Sequence, residues 1–180
     1  ISRGIALMRA GELADSIELL DRAIARLAAT GHRVWIAYLH AVRAEAMALL
    51  GDLAGANAVL DASLARIAAG EERAHYAEVM RIKGWVMMQQ GEIETAEKYL
   101  RAAIAVARTQ NARSWELRAT TTLAELLVGR GEPAKAHAAL SAIHGWFTEG
   151  HATRDLRTAA RLLATLDPPV DDVARIPVEA

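Results

Sequence analysis

The chain has 180 residues, 53% of them hydrophobic and only 4% aromatic, with 21 basic against 22 acidic residues and a net charge of −1. That length allows one domain with a substantial core, and a core so poor in aromatics is built mostly from Ala and Leu, as suits closely packed helices. The charge balance supplies no one-sided basic patch for nucleic acid or anionic lipid. No apolar run approaches the roughly 20 residues that span a bilayer. The absence of cysteine excludes disulfides and thiolate metal sites and suits a cytoplasmic setting. The chain opens on Ile1-Ser2-Arg3 and enters partway through a repeat, as a piece of a longer protein would.

In chain order, helices are expected over 1–10, 13–29, 33–50, 53–69, 72–90, 93–109, 113–130, 133–147 and 153–166, and no stretch alternates as a strand does. Gly11, Gly51, Gly91 and Gly131 punctuate this run at a period of 40 residues. A fixed period of this size marks a solenoid. Seven residues before each glycine stands a small residue (Gly4, Ala44, Gly84, Ala124), and four before it a large apolar one (Leu7, Met47, Met87, Leu127). A spacing of three puts both on one helix face, the small one admitting a neighbouring helix and the large one filling the space beside it. The glycine then ends the helix in a left-handed conformation. Glu12, Asp52, Glu92 and Glu132 come next as N-caps with their carboxylates at the positive end of the next dipole, and Pro133 fixes the start of the last such helix. Gly31, Gly70 and Gln110-Asn111 close the first three units.

The pattern breaks at Gly145-Trp146-Phe147-Thr148-Glu149-Gly150, with Trp146 and Phe147 expected to pack under the last helix. Thr153 is a good N-cap for that helix. There Leu156, Ala160, Leu163 and Leu166 are assigned inward, and Arg154, Arg157, Arg161 and Thr165 outward, as a solenoid cap requires. At the other end Ile5, Leu7 and Met8 keep the apolar pattern of internal repeats. That end should therefore expose apolar side chains and could pair with a second copy as a homodimer. The expected organisation is an all-α helical-hairpin solenoid over 1–166 with an extended tail over 167–180.

The units resemble tetratricopeptide repeats, which Gly84, Met87, Gly91, Ile93, Ala96, Leu100, Ala103 and Ile104 match position by position. The period of 40 residues departs from the usual length of roughly 34. A second resemblance rests on Trp85 through Gly91, Ala96-Glu97, Ala107-Arg108, Ser114-Trp115-Glu116-Leu117-Arg118-Ala119, and Gly145 to Gly150 with Asp155-Leu156. Over about residues 80–166 these are similar to the C-terminal repeats of large bacterial signalling proteins. Such proteins carry a class III adenylate/guanylate cyclase or winged-helix domain, then a STAND-type AAA ATPase, then the repeats. The resemblance implies a non-catalytic interaction or regulatory module, with a protein or peptide partner or the ATPase and cyclase domains in cis.

In tetratricopeptide repeats the first helix of each unit lines the concave face. Carried over residue by residue, this implies Tyr38, Glu45, Glu78, Arg81, Trp85, Met88, Gln89, Arg118, Thr121 and Glu125. Trp85 stands where the neighbouring repeats hold Glu45 and Glu125, which suggests an exposed or groove-facing ring, whereas Met87 belongs to the core. The set suits a peptide groove or an ordinary solvated face, and a small-molecule sensor on the same concavity is the alternative. His137 and His144, seven apart, are too distant along one helix to share a metal. Ser63 and Ser141 lack a nucleophile's context, and no Gly-x-x-x-x-Gly-Lys-Ser/Thr loop exists. No cofactor, metal or catalytic residue is therefore expected.

Overall fold

The computed structural model describes residues 1–31, 34–70 and 73–166, so the expected tail over 167–180 lies outside the described residues. Among the described residues the regular structure is entirely α-helical. In order the helices are α1 (Ser2–Ala10), α2 (Leu13–Ala29), α3 (Ile36–Leu49), α4 (Leu53–Ala68), α5 (Tyr76–Gln89), α6 (Ile93–Thr109), α7 (Arg113–Gly129), α8 (Pro133–His144) and α9 (Arg154–Leu166). They pair as α1–α2, α3–α4, α5–α6 and α7–α8, with α9 packed on α7 and α8. This is a helical-hairpin solenoid with a capping helix.

Each hairpin turn is set by the residues the 40-residue period picks out. Gly11, Gly51, Gly91 and Gly131 have φ of +88°, +96°, +81° and +76°. In each, the glycine N–H donates to the carbonyl three residues back. The next residue, an acid, has its N–H on the carbonyl of the large apolar residue, as Asp52 does to Met47 at 3.0 Å and Glu92 to Met87 at 2.9 Å. These two bonds satisfy carbonyls that the helix end would otherwise leave free. Of the four acidic N-caps only Asp52 closes a side-chain cap, to Gly55 N–H at 2.8 Å. The extra methylene of glutamate carries its carboxylate past the first turn. Glu132 instead pairs with Arg130 at 3.0 Å and with Lys135.

The small residues sit under a leucine of the partner helix. A Cβ built on Gly84 would lie 2.8 Å from Leu100 Cγ and 3.1 Å from the Ala96 carbonyl oxygen, and one on Gly4 would lie 3.2 Å from Leu20 Cγ. First and second helices of the hairpins have different neighbours. α3, α5 and α7 pack on their own partners, on the preceding second helix and on one another, whereas second helices touch only first helices. The first helices are accordingly buried nearly all round, and polar side chains on them must find partners. The second helices are amphipathic, with Ala96, Leu100, Ala103, Ile104 and Ala107 as the buried stripe of α6. Met87 lies in the core.

Five expectations need correction. α3 starts at Ile36 rather than 33, after Trp35 with φ of +77°, and α5 starts at Tyr76 rather than 72. α8 ends at His144 rather than 147, where tight turns take over: the Trp146 and Phe147 N–H groups donate three residues back. Trp146 does not pack under the cap: it is 56% exposed, its ring edge-on to Phe147 and under the Arg113 guanidinium, while Phe147 does reach the core. In α9 the buried alanine is Ala159, three residues on from Leu156, and Ala160 is exposed.

Candidate functional site

The first helices, stacked side by side and followed by α9, form one face of the solenoid, and a groove of about 320 Å³ runs across them. It is partly open to solvent. α1 contributes Met8 and Arg9, α3 Glu45 and Leu49, and α5 Arg81 and Trp85. α7 contributes Arg118, Thr121, Thr122 and Glu125, and α9 closes it with Arg154, Asp155 and Thr158.

The floor is an ion network. Arg81 donates through Nε and Nη2 to the two oxygens of Glu78, both at 2.9 Å, and through Nη2 again to Glu45 at 2.8 Å. Arg118 Nη2 reaches Glu78 at 2.8 Å. Burial works against the charge of Arg81, but the two carboxylates overcome it and raise the guanidinium's pKa. Burial likewise works against ionised Glu45, yet Arg81's charge and hydrogen bond hold its carboxyl below the usual range. Glu78, 1% exposed, and Arg81, 6% exposed, are therefore a buried pair whose positions are fixed by mutual satisfaction.

Glu125 is different. It is exposed to the groove and makes no ion pair among the described residues, and desolvation by the groove walls raises its pKa against the pull of Arg81. Trp85 is half-buried beside it, resting on the core, with its ring against no other ring and no cation among the described residues. The other three tryptophans are all engaged: Trp35 with Tyr38 and His75, Trp115 with Arg118, and Trp146 with Phe147 and Arg113.

Of the ten residues carried over from the resemblance, Glu45, Arg81, Trp85, Arg118, Thr121 and Glu125 line the groove. Glu78 lies in the core beneath Arg81, Met88 is half-buried against the core, and Gln89 is exposed outside the groove. Tyr38 is buried among rings at the starts of α3, α5 and α7: it stacks on His75 at 4.6 Å and meets Trp35 and Trp115 at 6.0 Å. Burial, then Glu78, push its hydroxyl pKa up. Trp35, His75 and Trp115 recur at the same 40-residue period as the glycines, a signal present in the sequence. Met8, Arg9 and Leu49 line the groove without having been expected there, and Arg154 faces it rather than outward. α1 and α9 occupy first-helix places in the stack, so their residues join the groove.

Ser63 and Ser141 hydroxyls donate to carbonyls of their own helices, at 2.8 Å and 3.3 Å. Among the described residues no group of three histidine or acidic side chains converges on a metal position. No helix among them is long and apolar enough to cross a membrane. What the groove offers is directional binding: fixed charges of both signs and an unpartnered indole, partly open to solvent.

No family model matches the chain, and no curated protein matches it. Among solved structures it is similar to a candidate kinesin light chain of Podosopora anserina with nearly identical TPR-like repeats. The TM-score is 0.64 at 17% identity, covering 92% of this chain and 82% of that one. A point-substituted form of the same protein aligns with a TM-score of 0.65, 17% identity and the same coverage. At that identity the likeness establishes the fold: a tetratricopeptide-like repeat solenoid.

Proposed function

We propose that this chain is a protein-interaction module that holds an extended segment of a partner protein along the groove formed by α1, α3, α5, α7 and α9. The observation that carries this reading is the groove itself, which crosses the helices α1, α3, α5, α7 and α9, is partly open to solvent and is lined by charges of both signs around an unpartnered tryptophan. Aromatic and arginine side chains dominate protein interfaces once desolvated. The sequence resemblance over residues 80–166 supports the finer reading that the chain is the repeat region of a larger cytoplasmic signalling protein, binding a partner segment or regulating that protein's ATPase or cyclase domains in cis. A small inducer on the same concavity is the second reading. The volume of about 320 Å³, at the small end of ligand pockets, speaks for it, and the open, charged lining speaks against it. A separate surface at the outer side of α1 and α2 suits a second copy of the chain. There Ile1 and, from α2, Leu19, Ala23 and Leu27 together with Arg22 and Arg26 surround a hollow of about 450 Å³.

A displayed random-peptide library selected on the wild-type chain tests the reading. Selected peptides should lose binding to Trp85→Ala while its helical circular dichroism is unchanged. Peptides that bind the variant as well as the wild type would place recognition elsewhere.

A further inference from the structure

The groove's charges do not all play the same part. Arg81 and Arg118 are matched within the chain by Glu45 and Glu78. That leaves Arg9 and Arg154 towards the outer helices, and Glu125 and Asp155, without an ion pair among the described residues. Asp155 lies in the first turn of α9, where the helix dipole offsets its charge. Arg9 and Arg154 are exposed, so water already solvates them and an added anion gains little there. Glu125 is exposed as well, but it stands on α7 among the groove-lining residues, next in the repeat register to Trp85, where partial burial raises its pKa and no ion pair among the described residues offsets the cost.

Its setting repeats along the solenoid. Glu45, Trp85 and Glu125 occupy the same position of successive repeats, 40 residues apart, so an acid, an indole and an acid stand in a row across α3, α5 and α7. At the first acid the chain supplies its own cation: Arg81, 36 residues on from Glu45, donates to it at 2.8 Å. At the second acid the corresponding residue is Arg161, which is exposed and makes no ion pair with Glu125. Trp85 and Glu125 line the same groove from the neighbouring helices α5 and α7.

We propose that the centre of the groove takes a basic side chain, lysine or arginine, of the partner segment, laid against the Trp85 ring with its charge on the Glu125 carboxylate. This rests on the groove being the binding face. The incoming cation does at Glu125 what Arg81 does at Glu45, and the indole face adds a cation–π contact of the kind Arg118 makes on Trp115 at 5.4 Å.

The test is an NMR titration of the full chain with three blocked six-residue Gly/Ser peptides, identical except for a central Arg, Glu or Ser. The four tryptophan indole N–H signals are the probes, and Trp85 is assigned by its loss in Trp85→Phe. The Arg peptide should shift the Trp85 indole, the Glu and Ser peptides should not, and Glu125→Gln should weaken the Arg peptide at least fivefold. The three other indoles report that the variant is folded. A Glu peptide that shifts Trp85 while the Arg peptide does not, or equal affinity in Glu125→Gln, overturns the cationic anchor. If library-selected peptides move Trp85 and the Arg peptide does not, the anchor falls and the groove stands. If selected peptides leave Trp85 unmoved, the groove falls with it.

Discussion

Gly84→Ala and Gly4→Ala form a matched pair whose signs should differ. Both residues stand seven before a repeat glycine and face a leucine of the partner helix, and Ala44 and Ala124 hold the same place in the other repeats. Replacing glycine by alanine inside a helix gains about 1 kcal/mol from propensity alone. At Gly84 the new methyl meets Leu100 Cγ at 2.8 Å and the Ala96 carbonyl at 3.1 Å, and neither is the free end of a flexible chain. Forcing a methyl into such a contact costs about 1–3 kcal/mol, so the net change is a loss of up to about 2 kcal/mol. At Gly4 the nearest atoms are Leu20 and Leu19 side-chain carbons at 3.2–3.5 Å, so the propensity gain should survive in large part. Urea unfolding followed by circular dichroism reads the difference; at a slope of about 2 kcal/mol per molar, each kcal/mol moves the midpoint by about 0.5 M. Two variants stabilised equally would refute the close α5–α6 approach.

Arg81→Met should cost about 3–5 kcal/mol, because Glu78 and Glu45 lose the guanidinium that satisfies them; a cost under about 1 kcal/mol in the same urea assay would count against a buried network. The two groove acids should respond to pH with opposite sign. Glu45, whose folded pKa is depressed, contributes stability that is present above its unfolded value of about 4.3 and lost as pH falls through the folded value. Glu125, whose folded pKa is raised, lowers stability as pH rises through it. Glu125→Gln should then melt higher than wild type at about pH 7 and the same below about pH 4. Identical melts at both would show that Glu125 is fully solvated. Self-association at the surface formed by Ile1 and α2 should appear as concentration-dependent sedimentation that Leu19→Glu abolishes; a wild-type chain monomeric at every concentration would exclude that surface.

The repeat frame is legible in the sequence because its causes are local. A left-handed glycine ends a helix wherever it stands, and the small and large residues before it mark one face regardless of what packs there. The helix starts at Ile36 and Tyr76 are hidden because the chain turns there through Trp35, with φ of +77°, and through His75, without glycine or proline to announce it. The groove is half legible. Register along the first helices brings out Glu45, Trp85 and Glu125, but that Glu78 sinks to the core follows from pairing with Arg81 and Arg118, which only packing decides. A cap's polar face is ordinarily solvated, which sends Arg154 outward on pattern alone. α9 also takes the fifth first-helix place, and that turns Arg154 into the groove.

The structure of this chain bound to a peptide selected from a random library tests the central claim most directly. The peptide should lie extended across α1, α3, α5, α7 and α9, with a lysine or arginine side chain against the Trp85 ring and within hydrogen-bonding distance of Glu125. A peptide seated on the outer faces of α2, α4, α6 and α8, or one presenting an acidic side chain to Trp85, would contradict it.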